Sequence, residues 1–111
     1  MADQKSELKE LYILGATPTK NSGRGKFHKG DGLIGSHNLA TVDVKEYSES
    51  FGLSRKAVAK LNKDSQQNKT RYGVFMVVLG EDEPKERWVA MPEKMFQELM
   101  ELYEDTYGND E

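Results

Sequence analysis

Apolar and polar positions alternate with different periods in different parts of this chain, and the periods predict its elements. Leu8, Leu11 and Tyr12 suit one or two helical turns, although Tyr12-Ile13-Leu14 could equally start a strand; Gly15 and Pro18 end whichever forms. Residues 39–42 suit a short strand. From Val44 to Leu61 the spacing predicts two helices joined by a tight turn. Asp43 caps the first, with Glu46 completing a capping box and Val42 and Tyr47 at the staple positions. Tyr47 and Phe51, four apart, share a helical face, and Gly52 stands where a helix ends in a left-handed residue. Leu53 plugs the turn. Ser54 caps the second helix, and Val58 and Leu61 form its inner face. Together these segments make a helix-turn-helix.

Beyond this unit, Tyr72 to Leu79 is rich in strand formers on both faces. Residues 80–85 have turn composition, and Glu86 to Met91 returns as the second strand of a β-hairpin. A strand apolar on both faces is covered on both sides. Pro92 opens a last helix, whose stripe of Met95, Phe96, Leu99, Met100, Leu102 and Tyr103 has core packing as its simplest role. The stripe is also wide enough for a second protomer, so a homodimer through this helix stays open. From Tyr107 the chain is expected to fray. The fold class is therefore α+β: a helix-turn-helix followed by a β-hairpin, winged-helix-like, and a C-terminal helix. The division expected is an N-terminal segment with a flexible Gly/basic arm over 1–32, the folded domain over 33–106, and an acidic tail over 107–111.

Charge sharpens the picture. The net charge of −3 conceals a balance of +6 over residues 18–72 and −8 over residues 73–111. A basic middle and an acidic end suggest two faces with different partners. Arg55 and Lys56 occupy the first turn of the second helix, where they oppose the helix dipole at roughly 0.3–1 kcal/mol each. Lys60 and Lys63 follow on its outer side. Residues 19–32 are dominated by glycine and basic residues, among them Arg24, Lys26 and Lys29, which suit phosphate contacts or a minor groove.

Candidate chemistry is sparse at the level of sequence. The absence of cysteine excludes disulfides and thiolate chemistry. Gly25-Lys26 is followed by Phe27, and no glycine stands five residues before Gly25, so a phosphate-binding loop fails. His28 and His37 have no second ligand at helical spacing, so no metal site is expected. Asp31 reads as a lone carboxylate near His28. No nucleophile–base–orienter set is apparent, and neither enzyme activity nor a cofactor is expected. The longest apolar run, Val74 to Leu79, is too short to cross a bilayer, and the start of the chain lacks a signal-peptide plan. A cytoplasmic protein is the default.

Ala40-Thr41-Val42, then Tyr47 to Leu61, then Arg87-Trp88-Val89-Ala90-Met91-Pro92 leading into Met95 and Phe96, resemble the small winged helix-turn-helix domains of phage excisionases and MerR-type regulators. The resemblance covers residues 39–103. It implies that Ser54, Arg55, Lys56, Ala59, Lys60 and Lys63 face the major groove, with Lys69 and Arg71 touching backbone beside the wing. The wing tip departs from the pattern: Glu81, Asp82, Glu83 and Glu86 would be repelled by phosphates.

The function expected is a small sequence-specific DNA-binding protein, a transcription regulator or recombination accessory factor, with double-stranded DNA as partner. The alternative is a protein-interaction module, an inhibitor or adaptor of a nucleic-acid enzyme such as RNA polymerase. It would act through Glu81, Asp82 and Glu83 or through the C-terminal helix. RNA binding through residues 20–29 is a third reading, supported by composition alone.

Overall fold

A computed structural model of the chain describes residues 4–19 and 30–108. The order is α1 (Gln4–Leu14), β1 (Thr17–Pro18), β2 (Gly32–Ile34), β3 (Ala40–Tyr47), α2 (Arg55–Asn68), β4 (Tyr72–Leu79), β5 (Glu86–Ala90) and α3 (Glu93–Tyr107). The five strands form one mixed sheet in sequence order. All neighbours are antiparallel except β3 and β4, which run parallel in an eight-residue ladder from Ala40↔Tyr72 to Tyr47↔Leu79. The protein is thus α+β, with three helices and a five-stranded mixed sheet among the described residues.

Parallel neighbours need a crossover, and α2 supplies it. The unit expected to be a helix-turn-helix is therefore a β3–α2–β4 crossover. Val44 to Tyr47 belong to a strand, residues 48–54 are a loop, and α2 alone is helical. The physical reason is a period of two. Ala40, Val42 and Val44 alternate with Thr41, Asp43 and Lys45, and the three apolar residues are buried together. A continuous ladder with β4 outweighs the capping signals at Asp43 and Glu46. Glu46 instead accepts a hydrogen bond from Ser6 Oγ of α1 at 2.7 Å. Gly52 does not take the left-handed conformation. Tyr47 and Phe51 do meet, stacked at 5.8 Å, but from strand end to loop, and Phe51 then leans on Phe75 at 5.3 Å.

The hairpin β4–β5 forms as expected, and β4 is buried on both faces. One face carries the main core: Leu11 from α1, Ala40, Val42 and Val44 from β3, Val74, Met76 and Val78 from β4, and Met95 from α3. Residues 4–19 are part of this same core and sheet, and no boundary separates them from residues 33–106. On the other face, α2 lies over Gly73 and Phe75. A Cβ on Gly73 would stand 2.6 Å from Leu61 Cγ, so glycine is what lets the helix approach. The C-terminal end of α2 is fastened to β3 by a hydroxyl network. Thr70 Oγ1 bonds Thr41 Oγ1 at 2.8 Å and Ser65 Oγ at 2.7 Å, and Asn68 Nδ2 donates to Thr41 Oγ1. Across the core face, Arg87 holds Glu10 of α1 through two hydrogen bonds, Nε–Oε1 at 2.7 Å and Nη2–Oε2 at 3.2 Å.

The last helix departs from its expected role. Met95 is its one buried residue, and the remainder of its apolar stripe is exposed. It stays helical to Tyr107, the position where fraying was expected to begin.

Candidate functional site

Once residues 40–47 are a strand, Asp43 and Lys45 stand two apart on one face of the sheet. The face is the one that α2 covers, as their neighbour Thr41 shows. Beyond the buried end of α2 they reach partial exposure, with side chains 14% and 29% accessible, and Lys45 Nζ lies 3.3 Å from Asp43 Oδ2.

Asp31 joins them from the turn before β2. Gly30, at φ +78°, makes that turn, and its carbonyl accepts a hydrogen bond from Thr19 Oγ1 at 2.9 Å. The backbone of Asp31 is tied on both sides: its N–H donates to Val42 O at 2.9 Å and its carbonyl accepts from Thr19 N at 3.0 Å. Its carboxylate accepts the N–H of Val44 at 2.7 Å and lies within hydrogen-bonding reach of the Asp43 carboxyl. Burial pushes the Asp31 pKa up from 3.8 to about 7, against the Val44 N–H, which lowers it; the Asp43 and Glu7 carboxylates raise it further. Asp31 therefore titrates near neutrality rather than in the usual carboxylate range.

Two more residues complete the surroundings. Lys60 of α2 forms an ion pair with Asp64 at 3.0 Å. That hydrogen bond is the main reason its pKa is raised, with smaller contributions from Asp64, Asp43 and Asp31 through their charge. Glu7 approaches from α1. The site thus sets two lysines, Lys45 and Lys60, against a contacting aspartate pair, with residues drawn from three elements and one turn.

Among the described residues no three His, Asp or Glu side chains converge as an all-protein metal cage would. Two carboxylates are nevertheless what a Mg²⁺ ion takes when waters and a substrate phosphate fill its other positions. The residues present fit a hard divalent ion on that count.

The residues expected to bind DNA are distributed unevenly. Ser54 caps α2 as predicted, its Oγ accepting Ala57 N–H at 3.1 Å. Arg55, Lys56, Ala59 and Lys63 are exposed on α2, which has no acidic residue in its first turn. Lys60 points toward the aspartates rather than serving as a free phosphate contact. Lys69 ends α2 in a left-handed conformation at φ 59°. Arg71 is engaged by Glu98 at 3.1 Å and stacks on Tyr72. Both precede β4, at the opposite end of that strand from the hairpin tip, so they do not flank a wing. Arg24, Lys26 and Lys29 lie outside the described residues, as does His28. At the acidic tip, Glu83 is held by Arg87 at 2.7 Å and approached by Lys9 at 3.7 Å, and Arg87 pulls its pKa down to about 2. Glu81 and Asp82 remain exposed there.

Sequence reasoning named Asp31 and Asp43 without joining them. Asp31 was read as isolated and Asp43 as a helix cap, and Lys45 and Glu7 were passed over. The available signal was the alternation Thr41, Asp43, Lys45 against Ala40, Val42, Val44. An apolar cleft of about 200 Å³ between α2, β4 and the start of α3 contains no titratable side chain. No helix among the described residues is long and apolar enough to cross a membrane. Comparisons with family models, with curated proteins and with solved structures find no match for this chain.

Proposed function

We propose that the protein is a divalent-cation-dependent phosphodiester hydrolase acting on nucleic acid. The observation that carries this is the contact of the Asp31 and Asp43 carboxyls beside Lys45. Two part-buried carboxyls in contact, one of them raised to near neutrality chiefly by burial, form an arrangement maintained against stability, which is common where a protein performs chemistry. A bound divalent ion would polarise a phosphoryl oxygen and lower the pKa of a water molecule. Asp31 and Asp43 would hold it. Lys45 would donate to a non-bridging phosphate oxygen or to the attacking water. In the reaction, water adds to phosphorus, one P–O ester bond breaks, and the departing oxygen takes up a proton.

Nucleic acid as substrate is supported by α2. Arg55, Lys56 and Lys63 offer positive charge with no ion-pair partner among the described residues, on the helix that walls the site. DNA binding, expected from the charge pattern, is thereby kept as the substrate-holding part of the function. The reading helix of a helix-turn-helix is replaced by the flank of a crossover helix.

The test is cleavage of single-stranded, duplex and branched DNA and of RNA by purified protein, with Mg²⁺ or Mn²⁺ and with chelator. Cleavage should require the metal and fall by at least about 100-fold in Asp43→Asn and Lys45→Ala, since even outer-shell changes cost 10–100-fold. Cleavage unchanged in Asp43→Asn would mark a contaminant and remove the assignment. Salt-sensitive DNA binding with no cleavage of any substrate would leave a non-catalytic DNA-binding protein, for which the basic first turn of α2 is the supporting observation.

A further inference from the structure

α3 is a 15-residue helix that the rest of the described chain hardly supports. Met95 is buried, and Glu98 accepts hydrogen bonds from Tyr72 Oη at 2.7 Å and Arg71 Nη2 at 3.1 Å. These contacts lie in the first half of the helix. Phe96, Leu99, Met100, Leu102, Tyr103 and Tyr107 are all exposed, Leu102 by 63% and Tyr103 by 59%. The N-cap, Pro92, supplies no side-chain hydrogen bond, and the last turn holds no basic residue to meet the helix dipole. Helices of this length are marginal in water without tertiary packing on an apolar face. The described part of the chain supplies such packing only at Met95.

We propose that a second copy of this chain covers the face, forming a two-fold dimer by antiparallel packing of α3 on α3. At 100° per residue, Phe96, Leu99, Met100, Tyr103 and Tyr107 make one continuous arc. Lys94, Glu101 and Asp105 lie on the opposite side, so the seam itself is free of charge. A basic partner would be drawn to that opposite side and would leave the apolar arc open.

Orientation follows from the helix dipoles, which a parallel pair aligns and an antiparallel pair opposes. In the antiparallel arrangement Phe96 meets Tyr107 of the partner subunit, and Leu99 meets Tyr103 of the partner subunit. Exposed surface on the five residues of the arc comes to roughly 500 Å² per copy, so two copies bring about 1,000 Å², at the threshold between a weak and a stable interface. A reversible dimer, dissociating at micromolar concentrations, is expected of an interface in this small, transient size class.

Sedimentation velocity on the full chain tests the dimer. The 12.6 kDa chain should move from monomer to twice that mass as concentration rises through the micromolar range. Tyr103→Glu should remain monomeric at every concentration while keeping the cooperative thermal unfolding of the sheet. A wild-type chain that stays monomeric at several hundred micromolar overturns the proposal, as does an unaltered dimer in Tyr103→Glu. Because the chain has no cysteine, single substitutions also report orientation under mild oxidation. Phe96→Cys chains mixed with Tyr107→Cys chains should cross-link to each other. Cross-linking of Tyr107→Cys chains with themselves alone would mean a parallel pair and overturn the antiparallel form.

Discussion

Replacing Asp31 by Asn should stabilise the protein at neutral and alkaline pH while removing its response to divalent metal. The unfolded carboxyl titrates near 3.8 and the folded one near 7. Between those values the folded chain holds a proton that the unfolded chain has lost, so stability falls as pH rises through the interval. Above pH 7 the full penalty is present. Three pKa units correspond to about 4 kcal/mol as a ceiling. Asp31 is only partly buried, and solvent screening reduces the figure to about 2 kcal/mol. An Asn keeps an oxygen for the Val44 N–H and has no charge to desolvate, so it recovers that amount. At about 4 °C per kcal/mol for a chain of this length, the Tm at pH 8 should rise by about 8 °C. Below pH 3.8, where Asp31 is protonated in the folded and the unfolded chain alike, the two proteins should melt together. Adding Mg²⁺ at ten times its Kd should stabilise the wild type by about 1.4 kcal/mol and leave the variant unmoved. Thermal melts at several pH values, with and without Mg²⁺, measure all of this. A variant that melts lower than wild type at pH 8, or that gains as much from Mg²⁺, would refute the assignment of Asp31 as a strained cation ligand.

Arg87→Ala should destabilise by about 3–5 kcal/mol in urea unfolding, because the Glu10 side chain, 1% exposed, is left without its bidentate cation. Joint replacement by Glu10→Gln and Arg87→Met should recover much of that loss. Gly73→Ala drives a methyl into Leu61 and should cost about 1–3 kcal/mol by the same measurement. Arg55→Ala with Lys56→Ala should stabilise α2 by up to about 1 kcal/mol per residue, since both charges oppose the dipole. The same pair should flatten the salt dependence of DNA binding by roughly two units of slope if each charge meets one phosphate.

The legible parts of the sequence were those where one period dominated. The hairpin came through because Val74 to Leu79 is unbroken strand composition and residues 80–85 are unambiguous turn chemistry. Ser54 and the start of α2 came through because a cap and a helical spacing agree. The stretch 43–47 failed because two local signals compete there. Asp43 and Glu46 form a capping box on paper, while Val42 and Val44 mark an alternating strand. The decision lies about thirty residues downstream in β4, which offers a parallel ladder and, opposite Val42, Val44 and Glu46, the buried neighbours Val74, Met76 and Val78. Local patterning contains no term for such a partner. Fold and site were lost together, because a helix starting at Asp43 scatters the side chains that a strand aligns. α3 shows the converse: its stripe is legible as apolar, but whether the cover comes from the same chain depends on where the sheet ends.

The crossover also explains why basic residues gather on α2 while acidic ones gather beneath it. A helix connecting parallel strands lies over their face, so its outer side meets solvent and its edge looks down on whatever the strands project. Arg55, Lys56 and Lys63 take the outer side. Lys60, one turn further in than Lys56, turns toward Asp64, Asp43 and Asp31. A polyanion drawn to the outer cations would therefore lie alongside carboxylates that repel it, unless a divalent cation sits between them. Basic residues alone would describe a binding protein, and acidic residues alone a cation site. Their adjacency on opposite sides of one helix edge is what makes phosphodiester hydrolysis the economical account of both. It makes a further demand: Mg²⁺ should strengthen DNA binding by the wild type and leave binding by Asp31→Asn unchanged. Fluorescence anisotropy at fixed ionic strength, using Ca²⁺ to hold the complex without turnover, measures this. DNA affinity that is the same with and without divalent cation would separate the basic helix from the aspartate pair and leave the latter without a substrate.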